Sequence, residues 1–219
     1  MKLQQTADLF GAAALPARAA LGAGAELLRG FAGGRDAALT AAIDGVVAAA
    51  PFRQMTTPGG YVMSVAMSNC GDAGWITDRR GYRYSDVDPV SGLHWPAMPA
   101  LLRRLAIDAA ATAGYSAFVP DACLINRYVP GARMTAHQDR NERDIDAPIV
   151  SVSLGLPAVF LFGGLTRKAP MQRVPLAHGD VVVWGGARRM AFHGIARLGQ
   201  GLHEFAGASR INLTFRKAF

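Results

Sequence analysis

The sequence predicts an α+β fold in which an all-β core carries flanking helices. From residue 120 onward, short runs rich in Val, Ile, Leu and Phe alternate with Gly, Pro and Asp, and they show no helical spacing. Two earlier segments have apolar residues at helical spacing. A chain of 219 residues with 51% hydrophobic content can bury a substantial core. Together these observations favour a single domain built as a sandwich or jelly roll, with the helices packed on a sheet.

The N-terminal part combines weak and strong signals. Residues 1–24 are rich in Ala and Gly without a strong period, so we expect a loosely ordered lead-in. Residues 24–31 (GAELLRGF) predict a short strand. Residues 36–50 predict a helix that Pro51 ends.

The second helix follows the segment WPAMP, with Leu101, Leu102, Leu105 and Ala109 on its apolar face and Gly114 at its C-terminal end. Between the two helices, the Gly-Gly pair at 59–60 predicts a hairpin. Five runs predict the core strands: CLINRYV, APIVSVSLGL, AVFLFGG, GDVVVWGG and RINLTFR.

The charge and cysteine content limit the classes of partner and compartment. The formal charge of +7 favours an anionic partner such as nucleic acid, although a bias in genomic base composition would also produce the excess of Arg. Two cysteines are too few for a disulfide framework, which favours a reducing compartment. Residues 1–20 interrupt their apolar run with charged residues and Pro, so we expect a cytoplasmic protein rather than an exported one. No apolar run is long enough to span a membrane.

His137 and Asp139 are the first candidate metal ligands. In an extended segment their side chains project to the same side, so both can reach one ion, although two polar loop residues would look the same. His193, which follows the run DVVVWGG, is the best candidate for a third ligand, and the other histidines fit less well. Two histidines and one carboxylate typify non-haem Fe(II) oxygenases, because they leave open positions for a bidentate co-substrate and O₂.

The run RINLTFR predicts a polar face opposite an apolar one. Arg210, Asn212, Thr214 and Arg216 share one face by period-two alternation. This face is either solvated, as on an edge strand, or lines a pocket in which the guanidinium groups bind a dicarboxylate. In CLINRYVPG, residues 124, 126 and 128 share a face on which Asn and Tyr can join such a pocket, while residues 123, 125 and 127 share the opposite face.

These residues resemble the AlkB family of Fe(II)- and 2-oxoglutarate-dependent nucleic-acid dealkylases. The similarity runs in order through PFRQMTTPGGYVMSVAMSNCG, PDACLINRYVPGA, APIVSVSLGLPAVF, HGDVVVWGG and INLTFR, about three-quarters of the chain. The resemblance implies a double-stranded β-helix, which is a jelly-roll barrel, with two helices on one sheet and an N-terminal substrate lid. It divides the domain into a helical buttress and lid at 25–118 and a dioxygenase core at 119–219.

The resemblance also implies roles for individual residues. His137, Asp139 and His193 would hold Fe(II) and form the catalytic centre. The 2-oxoglutarate site would comprise Asn126, Arg127, Tyr128, Arg210, Asn212, Thr214 and Arg216, with Arg210 and Arg216 as carboxylate partners. The nucleotide contacts would comprise Trp75, Tyr82, Arg83, Tyr84, Asn141 and Arg167.

One position departs from the family pattern. Two residues after the metal-binding Asp, close relatives carry an acidic residue that meets the flipped base, whereas this chain has Asn141 followed by Glu142. An amide can accept a hydrogen bond but cannot offset a positive charge, so the range of lesions is open.

The expected function is repair of alkylated DNA, or of RNA, by oxidative demethylation of lesions such as 1-methyladenine and 3-methylcytosine. The cofactors are Fe(II), 2-oxoglutarate and O₂, and the products include formaldehyde, succinate and CO₂. We expect a monomer without an obligate protein partner or a membrane association. The alternatives are an oxygenase of the same fold that acts on a protein or a small molecule, and a non-catalytic jelly-roll module that binds nucleic acid.

Overall fold

The structure is a computed structural model and describes residues 16–219. Its strands and helices are, in chain order, β1 Arg18–Gly22, β2 Ala25–Leu28, α1 Asp36–Ala49, β3 Arg53–Thr56, β4 Val62–Gly71, β5 Gly74–Asp78, β6 Gly81–Ser85, α2 Ala100–Thr112, β7 Ala122–Tyr128, β8 Met134–His137, β9 Ile149–Gly155, β10 Ala158–Phe162, β11 Gln172–Leu176, β12 Val181–Trp184, β13 His193–Ile195 and β14 Arg210–Arg216.

The strands form two facing sheets and one separate hairpin. The larger sheet has eight strands in the order β1-β2-β12-β9-β14-β7-β4-β3, and the smaller sheet has four in the order β11-β10-β13-β8. Among the strands of residues 16–219, β5 and β6 pair only with each other, as a two-stranded hairpin. This is the predicted jelly-roll architecture, and the α+β class is confirmed.

The alternation of side chains on β14 separates two cores. Leu213 and Phe215 are fully buried in the layer between the larger sheet and the two helices, together with Leu39 and Leu105. The opposite face of β14 points between the two sheets, where the other core contains Trp184. Since β14 lies between β9 and β7, its polar face is enclosed, and the edge-strand alternative for RINLTFR is wrong.

Both predicted helices are present at the expected places. Helix α1 buries Leu39, Ile43 and Val46, and α2 is followed by Gly114 with φ +91°, a conformation that glycine adopts without strain. The predicted hairpin joins β3 to β4, and its turn includes Gly60 with φ +85°. Within residues 16–219 no helix is long and apolar enough to cross a membrane.

The strand predictions need additions at both ends of the chain. Residues 1–15 lie outside the described residues, but Arg18–Gly22 pairs with β2, so this part of the expected lead-in is an ordered strand. Strands β8, β11 and β13 were not predicted from the sequence. Two of them are short, with four residues in β8 and three in β13.

Candidate active site

Two of the predicted metal ligands lie opposite each other on paired strands. His193 on β13 is the register partner of His137 on β8, and their ring centroids are 4.4 Å apart. Gly194 allows the strands to come this close: a Cβ at this position would lie 2.6 Å from the carbonyl oxygen of Met134. The short strands and this glycine therefore bring together two histidines that are 56 positions apart in the sequence.

Asp139 completes the predicted metal-binding group. Its Oδ1 lies 3.7 Å from Nε2 of His137, and its Oδ2 lies 3.7 Å from Nε2 of His193. Adjacent ligand atoms bound at about 2.1 Å from one ion lie about 3.0 to 3.4 Å apart, so a small closure suffices for coordination. Among the described residues this is the group of His, Cys, Asp and Glu side chains that can hold a metal ion.

The hydrogen bonds of both histidines suit a metal. Nδ1 of His137 lies 2.9 Å from the carbonyl oxygen of Thr135, and Nδ1 of His193 lies 3.0 Å from that of Ala191. A carbonyl oxygen accepts only, so the proton resides on Nδ1 and the lone pair of Nε2 faces the site. Two imidazoles and one carboxylate form the donor set that non-haem Fe(II) enzymes use, and the residues present fit that ion.

Burial and neighbouring charges prepare the ligands in their metal-binding protonation states. Burial and the nearby His137 lower the pKa of His193 to about 4, although the carboxylate of Asp139 opposes this shift. Burial alone would raise the pKa of Asp139, but the guanidinium of Arg216 and the two histidines hold it well below the usual range. At neutral pH His193 is therefore neutral and Asp139 is ionised, as metal binding requires.

Arg216 and Arg210 lie on the same face of β14 but have different partners. Nε and a terminal nitrogen of Arg216 both donate to Oδ2 of Asp139, at 2.8 and 2.6 Å. Arg210 is fully buried and donates one terminal nitrogen to Oγ of Ser153 at 2.7 Å. Its Nε and its other terminal nitrogen have no hydrogen-bond partner among the described residues. Arg210 thus retains two free donors, whereas Arg216 is engaged by a metal ligand.

Four other predicted pocket residues line one cavity with the metal group. Asn126, Tyr128, Asn212 and Thr214 line a cavity that also reaches His137, His193 and Arg216. The ring of Tyr128 lies beneath the guanidinium of Arg210, at 5.0 Å from its centroid. The amide nitrogen of Asn212 donates to Ser151 and to the backbone of β9, so Asn212 also fixes the two central strands together.

Arg127 must be removed from the predicted co-substrate residues. Its neighbours Asn126 and Tyr128 are buried, but Arg127 is exposed, and its guanidinium stacks over Phe52 at 4.6 Å. Since successive side chains of a strand point to opposite faces, a residue between two pocket residues points away from the pocket.

Two predicted lid residues stack on each other. Trp75 on β5 and Tyr82 on β6 have ring centroids 5.7 Å apart and planes inclined by 22°. The side chain of Asn69 holds the lid to the larger sheet, because its amide bonds both the N–H and the carbonyl of Trp75. The exposed ring of Tyr82 leaves an aromatic surface at the mouth of the site.

Arg83 and Tyr84 were both predicted to contact the nucleotide, but their side chains bind other residues of the protein. Arg83 pairs in register with Ile76, on the face opposite Trp75, and its guanidinium binds Asp78 at 2.7 Å. This position excludes Arg83 from the aromatic face. Tyr84 shares that face, but its hydroxyl donates to Oε1 of Glu142 at 2.7 Å. Burial raises the pKa of Tyr84 well above its usual value, so the phenol keeps its proton.

Asn141 and Arg167 lie at the rim of the site. The amide of Asn141 is 3.4 Å from the carbonyl oxygen of Tyr82, which places this residue between the metal group and the lid. Arg167 donates to the carbonyl oxygen of Ala136, next to His137, and stacks over Phe192. The predicted contacts of both residues with a substrate stay a prediction.

Several polar residues of the site were not predicted from the sequence. Glu142 and Arg189 form a buried ion pair at 3.2 Å, and Arg189 also donates to the backbone carbonyl of Asp139. Ser153 bonds Arg210 from the neighbouring strand. Glu142 follows the metal ligand by three residues and could have been found as a nearby acidic residue, whereas Arg189 and Ser153 carry no motif.

Comparisons with known proteins identify the family. The model of the 2OG-Fe(II) oxygenase superfamily matches residues 24–216. The α-ketoglutarate-dependent dioxygenase AlkB of Escherichia coli is 56% identical over 211 residues, which cover 96% of this chain and 97% of that protein. The DNA N(6)-methyladenine demethylase ALKBH1A of Arabidopsis thaliana is 34% identical over 122 residues, 47% of this chain and 35% of that protein. The solved structure of OsALKBH1 has a TM-score of 0.76 at 26% identity and covers 89% of this chain and 96% of that one.

The family match, the high identity and the geometry of the site agree. The donor set of His137, Asp139 and His193 is the one that this superfamily uses for Fe(II). The protein is an Fe(II)- and 2-oxoglutarate-dependent dioxygenase that uses O₂. The chain belongs to the 2OG-Fe(II) oxygenase superfamily and, within it, to the AlkB family.

Proposed function

We propose that this dioxygenase repairs alkylated nucleic acid by oxidative dealkylation, with 1-methyladenine and 3-methylcytosine as typical lesions. The observation that carries the proposal is the aromatic hairpin β5–β6, which stacks Trp75 on Tyr82 and is hydrogen-bonded to the segment that follows the candidate metal ligand Asp139. The names of relatives in the family support the same class of substrate, since one of them is a DNA demethylase.

His137, Asp139 and His193 hold the iron in this proposal. Bound Fe(II), with 2-oxoglutarate and O₂, supplies oxidising power that hydroxylates an N-methyl group, which leaves as formaldehyde while the co-substrate becomes succinate and CO₂. The chain's own residues position the reacting groups. Trp184 and Phe160 surround His193 with apolar surface, which keeps water away from the reacting atoms.

Arg210 is the proposed anchor for the carboxylate of 2-oxoglutarate that lies farthest from the iron. Its two free donors can form charge-assisted hydrogen bonds with a carboxylate, and no carboxylate of the described residues pairs with it. Tyr128 supports the guanidinium from below, and both Tyr128 and Asn126 line the cavity that reaches the metal group. Arg216 acts instead by holding Asp139 in orientation.

The lid is proposed to read the damaged base. A base must leave the helical stack before an enzyme can reach its methyl group, and aromatic side chains stabilise it once it is out. Both typical lesions are cationic, so a ring such as Trp75 adds a cation–π contribution of about 0.5–2 kcal/mol over the neutral base. Asn141, which contacts the lid, and Arg167, which lies beside His137, are proposed to complete the rim.

The charge of the chain supports a polyanionic substrate. With a net charge of +7, the protein attracts the phosphate backbone of DNA, and RNA shares this chemistry. We propose DNA as the main substrate, and we propose that the protein acts as a cytoplasmic monomer without an obligate partner. Sedimentation of the purified protein with and without an oligonucleotide tests the oligomeric state.

Mass spectrometry of modified oligonucleotides tests the reaction. The protein is incubated with Fe(II), 2-oxoglutarate and single-stranded oligonucleotides that carry 1-methyladenine, 3-methylcytosine or no lesion. We expect a loss of one methylene mass from the lesions only. Consumption of 2-oxoglutarate without mass loss on any DNA or RNA lesion would contradict the proposal and favour a protein or small-molecule substrate.

His137→Ala is the matched control for the chemistry. The variant should keep the fold, because His137 is only half-buried, but lose Fe(II)-dependent conversion of 2-oxoglutarate to succinate. Normal succinate formation by the variant would contradict the metal assignment. No succinate formation by the wild type would favour a non-catalytic binding module.

A further inference from the structure

Glu142 occupies an unusual position for an acidic side chain. Its side chain is 1% exposed, yet it lies outside the metal group and has no assigned role. Three groups from separate elements meet its carboxylate: the hydroxyl of Tyr84 on β6, the guanidinium of Arg189 after β12, and the guanidinium of Arg216 on β14. A carboxylate buried this deeply is retained only when it is paired and hydrogen-bonded.

The contacts of Glu142 connect the lid to a metal ligand. Tyr84 donates to Oε1 at 2.7 Å, and the same oxygen lies 3.3 Å from Nε of Arg216. Arg216 in turn donates twice to Oδ2 of Asp139. A second path runs from Oε2 through Arg189 to the backbone carbonyl of Asp139. The lid hairpin and the candidate iron ligand are thus separated by two side chains.

We propose that Glu142 is a positioning residue that couples the lid hairpin β5–β6 to the metal site. Among the described strands the hairpin pairs with no other, and two hydrogen bonds join it to the segment that follows Asp139: Tyr84 donates to Glu142, and the amide of Asn141 donates to the carbonyl oxygen of Tyr82. When the hairpin is seated, Tyr84 helps to fix Glu142, and Glu142 fixes Arg216 and Arg189 against Asp139. The inference rests on Asp139 as a metal ligand, but it does not depend on nucleic acid being the substrate.

The charge arrangement explains why this contact can carry a coupling. Two guanidinium groups face two carboxylates in a volume from which water is excluded, and metal binding adds a divalent cation beside Asp139. Any shift of Glu142 therefore changes the strength of the hydrogen bonds that Arg216 donates to Asp139. Coupling between two sites is reciprocal, so a seated lid that favours the metal implies a bound metal that steadies the lid.

Tyr84→Phe is the main test, because it removes the hydroxyl and keeps the ring that packs against Ala73 and Ala122. The measurements are the affinity for Co(II), followed by its visible absorption, and amide hydrogen exchange of residues 74–85 with and without Co(II). In the wild type, Co(II) should slow exchange in the hairpin. In Tyr84→Phe we expect about threefold weaker Co(II) binding. The factor by which Co(II) slows amide exchange in the hairpin should also fall about threefold, because the coupling is reciprocal.

Tyr115→Phe is the matched control. It also removes one phenolic hydroxyl with a good hydrogen bond, here to the carbonyl oxygen of Gly24 at 2.8 Å, but it contacts no residue of the site. This variant should bind Co(II) and protect the hairpin as the wild type does. If Tyr84→Phe behaves like Tyr115→Phe in both measurements, the coupling is disproved.

Glu142→Gln tests the centre of the network. It keeps the shape and an acceptor oxygen but removes the charge between two guanidinium groups, so we expect Co(II) affinity to fall about 10- to 100-fold. Unchanged affinity would overturn the proposal. Should this variant fail to fold, Tyr84→Phe decides alone. Failure of the wild type to demethylate oligonucleotides, with Co(II)-dependent protection intact, would disprove the substrate proposal and leave the coupling standing.

Discussion

Arg216 and Arg210 occupy equivalent positions on one strand face and have opposite electrostatic roles. Arg216 lies among carboxylates, and their charges raise its pKa even though burial lowers it. Arg210 lies in an equally buried place without a carboxylate, and burial lowers its pKa. Arg216 is thus neutralised by carboxylates of the protein itself, whereas Arg210 is a buried cation that can bind the anionic group of a ligand. The comparison teaches that the same residue type at the same spacing can stabilise a protein or can bind a ligand.

The largest effect expected from this contrast is on stability. Arg216→Met leaves Asp139 and Glu142 buried with less compensation, so the free energy of unfolding should fall by about 3–5 kcal/mol. Arg210→Met removes a buried charge without a carboxylate partner and should cost much less. Urea unfolding of the metal-free variants measures both values. Equal losses for the two arginines would show that they do not differ as described.

The second effect concerns the co-substrate. Arg210→Met should raise the KM for 2-oxoglutarate at least about 30-fold, because truncating one partner of a buried charge pair costs 2 kcal/mol or more. The affinity for Co(II) should stay within about twofold of the wild type, since Arg210 contacts no metal ligand. A fall in Co(II) affinity with an unchanged KM would exchange the proposed roles of the two arginines.

The third effect is a dependence of stability on pH at the metal end of the site. The pKa of His193 is about 4 in the folded, metal-free protein against 6.5 when unfolded, so between these values the unfolded state binds more protons. Stability therefore falls as the pH drops from 6.5 towards 4, by about 2 kcal/mol at pH 5. Asp139 does not contribute in this window, because its pKa is lowered from 3.8 and its stabilisation is lost only at more acidic pH.

Urea unfolding of wild type and His193→Gln at pH 7 and pH 5 isolates this contribution. The variant lacks the group but keeps the other titrating residues, so its stability should fall less between the two pH values. A fall as large in His193→Gln as in the wild type would show that His193 is not the group responsible.

The smallest effect comes from the close approach of β13 and β8. Gly194→Ala adds a methyl group that collides with the backbone of β8, which should separate His137 from His193 and weaken Co(II) binding about tenfold. Gly199→Ala is the control, because a Cβ there meets no atom within 4 Å. Titration with Co(II) distinguishes the two variants, and equal affinities would contradict the role of Gly194.

Several features were predictable because they depend on local periodicity. The two helices, the strand RINLTFR and the polar face of that strand follow from the spacing of apolar residues, and all are confirmed. The same alternation placed Arg127 on the face opposite Asn126, and the structure agrees with the alternation rather than with the role that the family resemblance implied. Periodicity was therefore the more reliable guide at this position.

Other features depend on contacts between distant segments. The three-residue strand β13 is too short to show a period, and it forms by pairing with β10 on one side and, where Gly194 allows the close approach, with β8 on the other. Arg189 had no motif to identify it, since its importance comes from lying beside Glu142, 47 residues earlier in the chain. Local sequence carries no information about such a pairing.

The sequence by itself determined the class of fold, the candidate metal ligands and the polar face of β14, because side-chain alternation and residue chemistry are local properties. Only the tertiary structure decided which arginine is free and which is paired. It also revealed that Glu142 joins the lid to Asp139. These outcomes depend on distances between groups from different strands. Burial strengthens the interaction energy at each distance, because charged groups removed from water must be paired with one another.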